Sequence, residues 1–405
     1  MRARLPLLAL LFALACGGSA PQREAADEVP STGGEEPAEA GDDVASATEP
    51  EPATTEPATT EAAADELAEG DPEPTESAPT ASAELVPADP AAPLADEARA
   101  ALDALPTERI PTPGEFYYRS NERRHDLLQP RLEGLGGAVV GVGSDQLYTL
   151  AAMSGARLIV PVDYDCRIPL VHAFYAAFVP PSETPEALVA RFAPESEAES
   201  IALLEAAHEG AERERLVRLY RRLREEMHEY LQRVIRRVYG GRPASWLADA
   251  GYYEHVRALF RTGRVEARCG DVTASTTLRA VGETLQRLEV PVQVLYFSNA
   301  EQFFPYGEAF RANVAALPSA ERAVVVRTFR HAELPNAEHD RWHYMLQDMD
   351  DFRARLETGA YGRMALFLED LARAGAPWVG EGLSTMTRET PSVVLEWARR
   401  RRARD

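Results

Sequence analysis

Several common signatures are missing from this chain of 405 residues. It has no Walker phosphate loop, no Gly-x-Ser-x-Gly elbow and no sustained basic stripe. Nucleoside triphosphatases, serine hydrolases of the elbow type and nucleic-acid readers therefore find no support. Cysteine is scarce, at three residues, and no Cys-x-x-Cys pair occurs. Long apolar runs are scarce too. The stretch Leu5–Ala15 is 11 residues long, too short to cross a bilayer as a mature helix.

What the N-terminus does contain is a leader pattern. Arg2 and Arg4 precede the apolar run, and Cys16 follows it directly, with Gly17-Gly18-Ser19 after. That order fits a removable signal peptide over residues 1–15. The surroundings of Cys16 resemble the lipobox of bacterial lipoproteins. The resemblance implies that Cys16 is acylated and becomes the first mature residue. No aspartate follows it, which implies the outer membrane of the cell envelope.

Net charge is −22, unevenly spread. Residues 21–90 hold 20 acidic side chains and one arginine, which leaves 45 acids against 40 bases in 91–405. The acidic segment is rich in Pro, Glu, Ala and Thr and repeats Thr-Glu-Pro. It has too little apolar surface to offset the cost of ordering. Residues 16–95 are expected to be a disordered tether spanning about 50 Å as a coil. Residues 96–405 are then a nearly neutral globular domain.

Within that domain the stretch Gly137–Asp165 organises the rest. Ala138-Val139-Val140 is a short apolar run that stops at Gly141-Val-Gly143. Ser144 is placed to cap a helix carrying Leu147, Leu150 and Ala151 on one face. Leu158 to Val162 rebuild a buried strand, with Asp163 and Asp165 at its end. A glycine turn opening a helix offers backbone N–H groups to a ligand, and an acid one strand along can hold ribose hydroxyls.

Residues 183–262 read as almost wholly helical, with one long helix over Glu212–Tyr239. Its stripe of Leu216, Leu219, Leu223, Met227, Tyr230, Val234 and Val238 is the spacing of a core face. This block is expected to be a helical insertion between the second and third strands, placed to cover the glycine turn. Further strands are expected before Asp271, at Val290–Phe297 and at Ala323–Arg327, with helices between. That alternation predicts an α/β fold: a mostly parallel, doubly wound, Rossmann-like sheet covered on both faces.

The succession of glycine turn, acid after the second strand, Gly-Asp after the third and polar cluster after the fourth resembles class I S-adenosylmethionine-dependent methyltransferases. The resemblance covers roughly residues 135–330. It implies that Gly141 and Gly143 cradle the methionine moiety, Asp163 or Asp165 holds the ribose, and Asp271 reaches the adenine. Two positions depart from the family. Val139 stands where an acid is usual, and Asp145 stands at the third glycine position, adding bulk and negative charge. More locally, VGSDQLYTL, the Asp163-Tyr-Asp165 stretch, FSNAEQFF and WHYMLQD are similar to an uncharacterised bacterial family of lipoproteins and secreted proteins, some from spirochaetes. In a sheet of the methyltransferase type, Cys166 and Cys269 would follow neighbouring strands. A disulfide and two buried thiols both stay open.

Three further features remain. Ser298-Asn299-Ala-Glu301-Gln302, flanked by Phe297, Phe303 and Phe304, follows a strand's carboxyl end, where open α/β sheets bind ligands. Glu301 is a candidate base or a helix cap, and Asn299 a candidate for orienting a nucleophile. His339 and His343 would share one helix face at i, i+4, the geometry of a zinc pair, with His331 as a third donor. The metalloprotease glutamate is replaced by Asp340, and a solvated helix is the competing reading. The arginines at 399–402 and 404 suit either an anionic envelope surface or a helix end whose cations complement the dipole.

S-adenosylmethionine is made in the cytosol, so an exported domain has no obvious supply of it. The expectation is a lipid-anchored envelope protein with a small-molecule ligand or a partner and an altered methyl-transfer site. A working methyltransferase and a metal-dependent hydrolase on His339 and His343 are the rivals.

Overall fold

The computed structural model describes residues 84–404. The expected leader, Cys16 and the acidic segment up to residue 83 lie outside the described residues. The strands are β1 (Ala138–Gly141), β2 (Leu158–Asp163), β3 (Val238–Tyr239), β4 (Arg242–Pro243), β5 (Arg268–Cys269), β6 (Val292–Ser298), β7 (Val324–Phe329), β8 (His343–Asp348) and β9 (Leu383–Met386). All but β3 and β4, which pair as a separate hairpin, form one seven-stranded sheet in the order β5-β2-β1-β6-β7-β8-β9. From β5 to β7 every neighbour is parallel, β8 reverses against β7, and β9 runs parallel to β8.

The central strands are apolar at almost every position because both faces are covered. Val139, Ile159, Val294 and Val326 join the core under the helices Gln146–Ser154, Ile168–Phe178, Gly210–Val234 and Ala250–Arg261. Val140, Val160, Leu295 and Val325 belong to the opposite core, with the helices Asp96–Asp103, Thr277–Arg287, Glu308–Ala316, Met349–Glu357 and Ala365–Ala374. The period-two alternation of each strand divides these side chains between the layers. The mostly parallel α/β sheet is thus as expected, with the order reversing between β1 and β6. At that crevice open α/β sheets bind ligands. Gly141 is required there, because a β-carbon would collide with the carbonyl oxygen of Tyr296 on β6.

Several boundaries differ from expectation. Residues 84–95 are not tether but packing. Val86 is buried in the second core, and the fully buried Arg264 donates to the carbonyls of Pro87 (2.8 Å), Asp89 (3.0 Å) and Ala92 (2.7 Å). The long helix stops at Val234, and Val238 lies half-exposed on the β3–β4 hairpin. Two glycines with positive φ, Gly240 and Gly241, make that turn and end the helical pattern. The third strand is reduced to two residues, Arg268 and Cys269. Cys269 pairs in register with Asp163 and forms a disulfide with Cys166, closing a loop over a separation of 103 residues.

Candidate functional site

The glycine turn between β1 and the helix Gln146–Ser154 sits at the carboxyl edge of the sheet, as its sequence implied. Its amides, however, already have partners in the chain. Val142 N–H donates to the Tyr296 carbonyl at 3.0 Å. Gly143 N–H donates to Asp163 Oδ2 at 2.8 Å, and Ser144 N–H donates to Gln146 Oε1 at 3.1 Å. Gly143 has φ +90, and a β-carbon there would collide with the Gln146 amide, so the Gln146 side chain fills the concave side of the turn. An anion cradle needs free, convergent N–H groups. Three successive donors are spent here.

The acids expected to hold a nucleotide are likewise engaged. Asp163 accepts from Gly143 through one oxygen and from Asp165 N–H through the other, at 2.8 Å. Burial pushes its carboxyl above the usual value, and these two hydrogen bonds pull against that. Asp165 is buried and ion-paired to Arg167 at 2.6 Å. The same guanidinium binds the carbonyls of Pro113 and Glu115 and lies over the Phe116 ring at 4.3 Å. Asp271 closes a local turn onto Thr273, N–H at 2.8 Å and hydroxyl at 2.6 Å. The Gly270 amide reaches the Asp163 carbonyl at 2.9 Å, which places Asp271 beside the others on the edge.

Asp145 is buried beneath the long helix and accepts from Tyr230 Oη at 2.8 Å. Burial raises its carboxyl above the usual range, opposed by the charge of Arg237 and the Tyr230 hydrogen bond. The long helix therefore covers the turn through Tyr230. Ser144 is not the cap proposed for the following helix. Asp145 takes the N-cap position without a side-chain bond, and Ser144 Oγ donates to the Tyr118 carbonyl at 3.1 Å.

Two neighbours of the turn gave no signal in sequence. His172 bonds the Gly143 carbonyl through Nε2 at 3.0 Å, and its Nδ1 faces the Tyr148 hydroxyl. Burial drops its pKa to about 4, against the pull of the Gly143 carbonyl. The imidazole is therefore neutral at pH 7, with Nε2–H donating and Nδ1 accepting. The other is Glu122, on the segment 116–124 that straps the carboxyl edge. It accepts four hydrogen bonds: Ser298 Oγ (2.6 Å), Thr328 Oγ1 (2.7 Å), Tyr296 Oη (2.6 Å) and His125 Nε2 (3.0 Å). Ser298 adopts φ +51 at the end of β6 to present its hydroxyl, a conformation uncommon outside glycine. Burial raises the Glu122 carboxyl, but the His125 bond and charge with the two hydroxyls outweigh it, so the net shift is downward. Asn121 and the amides of Arg123 and Arg124 fasten the rest of the strap to Trp342, Asp340 and Tyr344.

The polar cluster after β6 splits into separate roles. Asn299 precedes the short turn Ala300–Gln302. Glu301 is neither a helix cap nor an exposed base. It is fully buried, ion-paired to Arg327, and accepts from Tyr306 Oη at 2.7 Å. Arg327 continues to Gln347 at 2.8 Å, and Gln347 to Asp351 at 2.7 Å. Outside this network, Gln302, Phe303, Phe304 and Pro305 form one wall of a groove of about 300 Å³. A second concavity, about 500 Å³, lies between the helices Glu308–Ala316 and Met349–Glu357.

The histidine pair does not form. His339 sits in a turn with φ +63, and residues 343–348 are strand β8, so no helix aligns the two. His343 is buried, with Nδ1 on the Pro335 carbonyl at 2.5 Å and Nε2 on Ser384 Oγ at 2.7 Å, and His339 is exposed beside Glu338. The i, i+4 spacing reads as strand because β8 alternates between the sheet's two layers, Tyr344 and Leu346 against Met345. The terminal arginines extend from the helix Val393–Arg402. Arg402 donates to the Thr358 carbonyl at 3.2 Å, and Arg400 approaches Glu396 at 3.4 Å.

Residues 117–386 match the family described as a domain of unknown function, DUF7790. The chain belongs to the DUF7790 family. No curated protein matches it. The DUF7790 span begins on the strap beside Tyr118 and ends on Met386, the last residue of β9. It therefore takes in the glycine turn, Glu122 and the whole sheet. The packing segment 84–116 and the terminal arginine helix lie outside it.

Proposed function

We propose that this DUF7790 protein is a lipid-anchored protein of the cell envelope, held at the outer membrane through Cys16. Its methyltransferase-like domain serves as a ligand-binding or interaction module and does not transfer methyl groups. The observation that carries this reading is the spent turn: the amides of Val142, Gly143 and Ser144 all donate to the chain's own oxygens. A methyl donor would have to displace Gln146 from Gly143 and free Asp163 from its two backbone donors. Export is supported by the leader pattern, and the Cys166–Cys269 disulfide fits an oxidising compartment.

The rival, an S-adenosylmethionine-dependent methyltransferase, requires Gly141, Gly143 and Asp163 to open for the cofactor. Isothermal titration of the purified full chain with S-adenosylmethionine and S-adenosylhomocysteine is expected to give no saturable heat. Micromolar binding that disappears in Asp163→Ala would overturn the reading and restore those residues to a cofactor site. The metal-dependent hydrolase on His339 and His343 has no observation in its favour, since both ring nitrogens of His343 are engaged.

A further inference from the structure

We infer that the groove beside Glu301 is a binding site for a small anionic ligand with an apolar body, its carboxylate or phosphate held by Arg330 and Arg363. The groove lies at the carboxyl edge, past the end of β7, and two segments supply its walls. One is the stretch Glu301 to Pro305, the other Arg363, Met364 and the first turn of the helix Ala365–Ala374. Its lining is mixed, with apolar side chains beside the polar Glu301, Gln302, Arg330 and Arg363. Met364 and Leu368 are buried in its floor, and Phe304 is partly buried.

Both walls are fixed before any ligand arrives. Tyr306 N–H donates to the Gly362 carbonyl at 2.8 Å, joining the two walls directly. Tyr306 Oη and Arg327 hold Glu301 from behind. Phe304 packs edge-on against Phe310 at 5.2 Å and against Tyr306 at 6.2 Å. Pre-formed walls lower the ordering cost of binding.

The charge of the groove selects the ligand's sign. Glu301 lines it, but its carboxylate is committed to Arg327. Arg330 and Arg363 are exposed and have no acidic partner among the described residues. The chain contains no lysine, so every basic side chain other than histidine is a guanidinium. Its planar donor fork matches carboxylate and phosphate oxygens in pairs. Phe303 supplies the apolar rim: at 79% exposure it is the most exposed large hydrophobic side chain among the described residues. No contact within the domain accounts for leaving that ring in water, whereas an apolar body lying between Phe303 and the Met364–Leu368 floor would cover it.

This gives the binding-module reading a location and a ligand class, and rests on it. Its failure is separable, because methyl-donor binding at the glycine turn is lost in Asp163→Ala, whereas binding in this groove is lost in Arg330→Gln/Arg363→Gln. The test is calorimetric titration of the full chain with 4-phenylbutyrate and phenyl phosphate as carboxylate and phosphate probes, and 4-phenylbutanol as the uncharged control. Saturable binding of at least one anion is expected, with the alcohol at least tenfold weaker. The variant Arg330→Gln/Arg363→Gln should lose tenfold or more with its thermal midpoint unchanged, and Phe303→Ser should weaken binding severalfold. The tighter of the two anions identifies the head group. Absence of saturable binding for both anions, or affinity unchanged in the double arginine variant, overturns the assignment.

Discussion

Replacing Glu122 by alanine tests whether the strap is held by its buried carboxylate. The carboxylate gathers Ser298, Thr328, Tyr296 and His125 from two strands and from the helical turn His125–Leu127 that follows the strap. Hydrogen bonds to a charged group contribute about 1.5–3 kcal/mol each, but four on one group do not add. Removing one member of a buried charged network typically costs about 3–5 kcal/mol. Glu122→Ala is therefore expected to lose about 4 kcal/mol, a large part of the roughly 5–15 kcal/mol available to a folded protein. Glu122→Gln, which keeps the volume but puts a donor where an acceptor is needed, should lose about half as much. Urea unfolding followed by tryptophan fluorescence measures both, and added acetate should raise the alanine variant's midpoint by occupying the vacated oxygen positions. Because the folded carboxyl lies below its ordinary 4.5, its stabilisation is present above that pH and is lost as pH falls through the lower folded value. The difference between wild type and Glu122→Gln should shrink accordingly in acid. An alanine variant within 1 kcal/mol of wild type, by the same magnitudes, would refute the reasoning.

Three other outcomes are expected. Reducing the Cys166–Cys269 bond, or making Cys166→Ser, should lower stability by about 2–5 kcal/mol, since it opens a loop spanning 103 residues. Urea midpoints with and without reductant check this, and equal midpoints would count against it. His172 is depressed from 6.5 to about 4, so its contribution is present in full above pH 6.5 and is lost as pH falls toward 4, in all about 3 kcal/mol. Burial raises Asp145 and Asp163 from 3.8, which acts with the opposite sign in acid. The informative quantity is therefore the difference between wild type and His172→Gln, and parallel pH profiles would refute the assignment. Finally, labelled palmitate should be incorporated into the full chain and not into Cys16→Ser, and equal labelling would remove the anchor.

Local pattern went far on the fold. Apolar runs ending in Gly141-Val-Gly143, in Asp163 and in Ser298 marked where strands stop, because a strand buried on both faces must be apolar and its carboxyl end must turn. The same local logic failed at Val238 and at His343. A half-exposed hairpin and an alternating strand share spacings with helix there, and only their neighbours decide between them.

The sequence by itself determined the parallel sheet, the glycine turn and the acids along its edge. Tertiary structure decided that the turn is filled and covered. The Tyr296 carbonyl and Asp163 take two of its amides, beside the local Gln146, and Tyr230 reaches Asp145 across 85 residues. The glycine pattern specifies a backbone shape with donors turned outward, and that shape is the same whether a ligand or the chain's own oxygens accept from it. Which acceptor arrives depends on folding as well as on the local Gln146, because Asp163 and the Tyr296 carbonyl meet the turn only when β2 and β6 pair on either side of β1.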